Sequence, residues 1–149
     1  MSLLPAADIL VPVDLSDASL GALEQAAELV RSPNGLHLLS VLPELSSMEP
    51  GVSWGTVNDS TRIASMEKAL RAELSKRDLD AGHVHVVIAP GNPGWVIARE
   101  AESMAVDLIV VASHGRTGWK RLALGSVAER VVRLASCPVM VIRRQEDAS

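Results

Sequence analysis

Five short apolar segments recur along the chain, and each is rich in Val, Ile and Leu. Their hydrophobicity is nearly continuous and does not alternate, which is typical of parallel strands covered by helices on both faces. We therefore predict five buried strands, at Ile9–Val13, Leu36–Leu42, Val84–Ala89, Leu108–Ala112 and Val139–Ile142.

Amphipathic segments separate these strands and predict four helices. The first can be capped by Ser16 or Asp17, and the others extend over residues 60–79, 95–104 and 126–135. The last opens with Ser126-Val127-Ala128-Glu129, which has the spacing of a capping box. The apolar positions predict buried helix faces at Leu20, Leu23, Ala27 and Val30, at Ile63, Met66, Leu70 and Leu74, and at Val127, Val131 and Leu134.

Strands and helices alternate in the order βαβαβαβαβ. With right-handed crossovers, this order predicts an α/β fold with an open parallel sheet between two helical layers. The chain of 149 residues has the usual size of one domain, so we expect a single domain over residues 1–149. One long irregular stretch, Pro43 to Asp59, is consistent either with a mobile flap over a ligand or with an insertion that has no role.

The charge balance argues against nucleic acid as a partner. The formal net charge is −4, whereas a protein that binds nucleic acid needs a basic face. Cys137 is the only cysteine, so no intramolecular disulfide can form, and a reducing cytoplasm is the expected location. The start lacks a basic, apolar leader, and no apolar run is long enough for a bilayer, so we expect no membrane partner.

Candidate binding residues follow the first and fourth strands. Ligands of open α/β sheets lie beyond the carboxyl ends of the strands, where the strand order reverses. Asp14 follows the first strand, Gly115 and Arg116 follow the fourth, and Gly125 precedes a helix whose N-terminus favours anions. By spacing alone, anion binding and ordinary loop geometry are equally consistent with these residues. The glycine signatures of P-loop and dinucleotide-binding proteins are absent.

The same region resembles a known family. Ala112-Ser113-His114-Gly115, nine residues, then Gly125-Ser126 is similar to the nucleotide signature of universal stress proteins. The opening ILVPVDLSDAS and the stretch from VDLIVVASHGRTG to CPVMVIRR also resemble that family. One departure is Ala112, which stands where the signature has its first glycine.

The resemblance implies a five-stranded parallel sheet of order 3-2-1-4-5, the adenine nucleotide alpha hydrolase-like fold. It further implies that the chain binds ATP, with any Mg²⁺ carried by the phosphates, and forms a homodimer through the edge strand Val139–Ile142. The binding residues that it implies are Pro12, Val13, Asp14, Val41, Ala112, Ser113, His114, Gly115, Arg116, Gly125, Ser126 and Val127.

The resemblance favours a nucleotide-dependent stress-response module that hydrolyses ATP slowly at most. His114 has no evident nucleophile or carboxylate partner in the sequence, so we expect no catalytic residue and assign it to loop shape or the phosphates. His37, His83 and His85 lack the spacing of metal ligands, and no protein-held metal is expected. Two alternatives remain: an interaction protein of the same fold that binds no nucleotide, and a nucleotidyl or phosphoryl transferase.

Overall fold

The predicted strands are all present in the structure. A computed structural model describes residues 2–44, 59–79, 82–114 and 124–143. The strand boundaries differ from the predicted ones by a residue at most, because the apolar runs themselves mark the buried positions. The strands are β1 (Ile9–Pro12), β2 (Leu36–Leu42), β3 (His85–Pro90), β4 (Leu108–Ala112) and β5 (Val139–Ile142).

The five strands form one parallel sheet in the order β3-β2-β1-β4-β5, which confirms the expected topology. β1 lies at the centre, between β2 and β4. The chain leaves β1 toward β2 and β3 and later returns to β4 on the other side. The strand order therefore reverses between β1 and β4, and their carboxyl ends diverge there to leave a crevice.

Within the described ranges, four helices connect the strands. They are α1 (Asp17–Leu29), α2 (Asp59–Lys76), α3 (Pro93–Ser103) and α4 (Ser126–Leu134). Ser16 caps α1, since its hydroxyl oxygen accepts a hydrogen bond from the Ser19 N–H at 3.2 Å. A short 3₁₀ turn, Pro33–Gly35, leads into β2.

The sheet carries a hydrophobic core on each face. One core joins α1 and α2 to the sheet through Leu23, Leu70 and Leu74, which are fully buried. The other joins α3 and α4 to the opposite face through Ile97 and Val131. The two layers explain why the strands are apolar throughout, because each alternate side chain meets a different helical layer.

The start of α4 differs from the prediction. Its N-cap is Gly125, which has extended backbone angles, and no side chain caps the helix, so the predicted capping box is wrong. Ser126 is already the first helical residue, one position too late for its hydroxyl to cap. The predicted buried face is also shifted, since Ala128 and Val131 are buried while Val127 is 36% exposed.

Candidate functional site

A cavity of about 250 Å³ opens at the carboxyl ends of the strands, where the strand order reverses. β1, β2 and β4 form its floor, and the first turns of α1, α3 and α4 form its walls. The described residues that line it are Pro12, Val13, Asp14, Ser19, Leu39, Val41, Pro93, Ile97, Val111, Ala112, Ser113, Gly125, Ser126, Val127 and Ala128.

Most of the residues proposed from the sequence meet in this cavity, although they come from four separate segments. His114 is half-buried and does not line it; its ring nitrogen lies 3.4 Å from the Ser113 hydroxyl. Gly115 and Arg116 lie outside the described residues. The predicted residues that line the cavity are Pro12, Val13, Asp14, Val41, Ala112, Ser113, Gly125, Ser126 and Val127.

One end of the cavity presents hydrogen-bond donors. The first-turn N–H groups of α4 have no acceptor within the helix, and the helix dipole gives this end a partial positive charge. Ser126 lines the cavity as the first residue of α4, and its hydroxyl does not cap the helix. This end can therefore hold an anion.

Close packing fixes where α4 begins. The Gly125 N–H donates to the Ser113 carbonyl at 2.7 Å, and the Ser113 N–H donates to the Ile142 carbonyl at 2.9 Å. A Cβ atom on Gly125 would lie 2.9 Å from the Ser113 oxygen, which is too close. Gly125 is thus required by the fold itself, whatever the cavity binds.

The part of the cavity at the end of β1 carries a carboxylate. Asp14 follows β1, and its Oδ1 accepts hydrogen bonds from the Ser16 N–H at 3.0 Å and from the Ser16 hydroxyl. An aspartate between a strand and a helix can either cap the helix or contact a ligand. Ser16 is the cap. Asp14 accepts two hydrogen bonds from Ser16 and also lines the cavity. An ionised carboxylate accepts hydrogen bonds only, so this end favours ligand N–H and O–H groups.

Apolar side chains line the part of the cavity beside β2 and α3. They are Leu39 and Val41 of β2 and Pro93 and Ile97 of α3. Sequence reasoning predicted only Val41 of these four. The signal that it passed over is positional, because Pro93 opens the helix after β3 and Leu39 lies on the same strand face as Val41. Ser19, Val111 and Ala128 are the other lining residues that it missed.

Ala112 fits its position without backbone strain. It is the last residue of β4, and its φ is not among the positive values in the described residues. Its methyl group is 9% exposed and belongs to the core beneath α1. The alanine in place of the signature glycine therefore does not distort the strand that forms the cavity floor.

The other histidines lie at the far end of the sheet. His37 is the second residue of β2 and His85 the first of β3, and their rings stack at 5.0 Å between centroids. His37 Nε2 lies 3.0 Å from Asp8 Oδ1. Within the described ranges, no three His, Cys, Asp or Glu side chains are placed to hold a metal ion.

Cys137 lies before β5 and is half-buried. Burial raises the pKa of its thiol, and the nearby Asp107 carboxylate adds to the rise. The thiolate is therefore scarce at neutral pH, which makes Cys137 a poor nucleophile. None of the helices in the described part of the chain is both long and apolar enough to cross a bilayer.

Comparison with known proteins agrees with this architecture. The model of the universal stress protein family matches residues 7–143. The chain belongs to the universal stress protein family. Universal stress protein MJ0531 of Methanocaldococcus jannaschii is 31% identical over 140 residues, covering 91% of this chain and 81% of that protein.

Solved structures of universal stress proteins share the fold. UspA from Lactobacillus plantarum superimposes with a TM-score of 0.74 at 29% identity and covers 92% of this chain and 97% of its own. A family protein from Arabidopsis thaliana, solved with AMP bound, has a TM-score of 0.61 at 22% identity and covers 95% of this chain and 94% of its own.

Proposed function

We propose that this universal stress protein binds an adenine nucleotide in the cavity and acts as a nucleotide-dependent regulatory module. The observation that carries the proposal is the polarity of the cavity. The N-terminus of α4 supplies donors beside β4, Asp14 supplies a carboxylate at the end of the neighbouring β1, and apolar side chains of β2 and α3 line the part beyond β1. A nucleotide has the complementary order of groups, with anionic phosphates, ribose hydroxyls and a flat base.

The polarity gives the orientation of the nucleotide. The phosphates would lie at the start of α4, against the Ser126 hydroxyl and the free N–H groups of the first turn. The base would lie against Val41 and Ile97, and the ribose side would face Asp14. The AMP-bound Arabidopsis relative supports an adenine nucleotide as the class of ligand.

ATP is the adenine nucleotide that we propose, with any Mg²⁺ carried by its phosphates. Gly115 and Arg116 would extend the phosphate site, and the sequence adds Lys120 and Arg121 nearby. These basic residues shortly before α4 in the sequence favour a longer phosphate chain, because each added phosphate brings further negative charge.

A regulatory role is favoured over rapid turnover. In the described residues, the cavity lining includes one carboxylate and no histidine, so it offers no acid and base pair for phosphoryl transfer. We propose slow hydrolysis at most, in a cytoplasmic protein. The second candidate, an interaction protein that binds no nucleotide, is favoured by one feature, the open edge strand β5 at the end of the sheet.

Acid extraction of the purified protein tests the ligand class directly. The protein is gel-filtered, precipitated with acid, and the supernatant is separated by ion-exchange chromatography with nucleotide standards. The proposal predicts adenine nucleotide in the supernatant, or its uptake when ATP, ADP or AMP is added before filtration. Retention of none of the three would contradict it and favour the interaction protein.

A further inference from the structure

Ser19 was not predicted from the sequence. It lines the cavity and is hydrogen-bonded to the turn that carries Asp14. Ser19 lies in the first turn of α1, is 4% exposed and lines the cavity. Its hydroxyl donates to the Ser16 carbonyl at 3.1 Å and accepts from the Asp14 N–H at 3.2 Å. One buried hydroxyl thus ties α1 to the backbone of the residue after β1.

The turn between Asp14 and Ser16 needs this support. Leu15 has a φ of +66°, in the left-handed region that a branched, non-glycine side chain rarely adopts. Such a conformation persists only where the surroundings over-determine it. Four hydrogen bonds hold the turn at Leu15. The Ser19 hydroxyl makes two of them, and Ser16 donates the other two to the Asp14 carboxylate.

The turn holds the Asp14 carboxylate at the start of α1. Its Oδ1 accepts two hydrogen bonds from Ser16, the N-cap of α1, where the helix dipole favours its negative charge. The result is a fixed carboxylate at the wall of the cavity.

We propose that Ser19 is a positioning residue for nucleotide binding, which acts by holding the Asp14 turn and not by contact with the phosphates. The proposal rests on the proposed function and deepens it. It gives Ser19 and Ser126 different roles. Ser126 belongs to α4 and lies where the phosphates would bind, whereas Ser19 belongs to α1 and holds the Asp14 turn.

A double-mutant cycle tests this role. ATP affinity is measured by titration calorimetry for the wild type, Ser19→Ala, Asp14→Ala and the double variant. Loss of the Ser19 hydroxyl, which makes both hydrogen bonds, predicts an affinity about three- to tenfold weaker for Ser19→Ala. Because Ser19 acts through Asp14, the double variant should bind ATP no more weakly than Asp14→Ala alone.

Ser40→Ala is the matched control, since it removes another buried serine hydroxyl, 2% exposed, that does not line the cavity. Its ATP affinity should equal that of the wild type. If Ser19→Ala does not fold, Ser16→Ala replaces it in the cycle, because Ser16 is half-buried and contacts the same carboxylate. The same non-additive result is expected.

Two results would overturn the proposal while the wild type still binds ATP. One is an unchanged affinity in Ser19→Ala, and the other is a loss that adds in full to that of Asp14→Ala. If the wild type itself binds no adenine nucleotide, the proposed function fails and the role of Ser19 fails with it.

Discussion

At Ser126, the effect of a substitution on helix stability can be separated from its effect on anion binding. It is the first residue of α4 and lines the cavity, yet it does not cap the helix. Its predicted role as part of a capping box is wrong, while its predicted role in binding stays a prediction. A Ser-x-x-Glu spacing does not reveal which residue takes the extended N-cap conformation, and here Gly125 takes it.

Replacing Ser126 by aspartate should move stability and nucleotide affinity in opposite directions. A carboxylate in the first turn stabilises a helix by about 0.3–1 kcal/mol, so Ser126→Asp should unfold at the same or a higher denaturant concentration. The same charge repels phosphates, and ATP affinity should fall by at least about tenfold. Chemical denaturation and calorimetry measure the two effects.

Ser126→Asn is the matched control for this substitution, because it has nearly the same shape and no charge. Its ATP affinity should stay closer to that of the wild type than the affinity of Ser126→Asp. Equal affinities in the two variants would show that no phosphate lies at the start of α4.

Ser19, which acts by positioning Asp14, could not be predicted from the hydrophobic pattern. Ser19 sits beside Leu20 in a helix whose apolar spacing dominates its sequence, and a serine there resembles a tolerated small residue. Its importance depends on the left-handed turn at Leu15, a conformation that a leucine does not indicate. Asp14 and Gly125 were predictable because strand ends and helix starts mark them.

At the level of elements, the prediction of strands succeeded because each strand is buried on both faces and reads as an unbroken apolar run. The strand order came from the family resemblance, since the apolar runs themselves do not say which strands are neighbours. The face of α4 was misassigned because Val127 and Ala128 both lie within a turn of Val131. The structure buries Ala128 and leaves Val127 at the cavity.

β5 forms an edge of the sheet and has one side without a strand partner in the described chain. The Pro138 and Ile142 carbonyls accept bonds from β4, so by alternation the N–H and C=O groups of Val139 and Val141 point away from it. An open parallel edge of this kind invites pairing with a second copy. The homodimer expected from the resemblance would use these groups.

Val141→Pro should therefore disrupt the homodimer while leaving the β4–β5 pairing in place. Proline removes the outward N–H of residue 141 and is tolerated at a sheet edge. Sedimentation velocity should show the wild type at about twice the 15.8 kDa chain mass and the variant at the chain mass. Val141→Ala, which shortens the same side chain but keeps the N–H, should remain dimeric. A monomeric Val141→Ala would point to side-chain packing and away from strand pairing.

On the scale of the whole molecule, the cavity and the β5 edge are connected by short backbone paths. Ser113 lines the cavity. Its N–H donates to the Ile142 carbonyl, and its own carbonyl accepts from the Gly125 N–H. Any ligand that displaces Ser113 therefore acts on the end of the edge strand and on the start of α4. This connection is how nucleotide occupancy would reach a dimer surface, as the regulatory role requires.

The central claim is that the cavity binds ATP, and titration calorimetry of the wild-type protein with ATP tests it most directly. We expect a saturable isotherm with one nucleotide per chain for the wild type, and an affinity at least about tenfold weaker for Ser126→Asp. Absence of saturable binding by the wild type up to about 1 mM ATP, where the binding free energy would be weaker than about −4 kcal/mol, would contradict it.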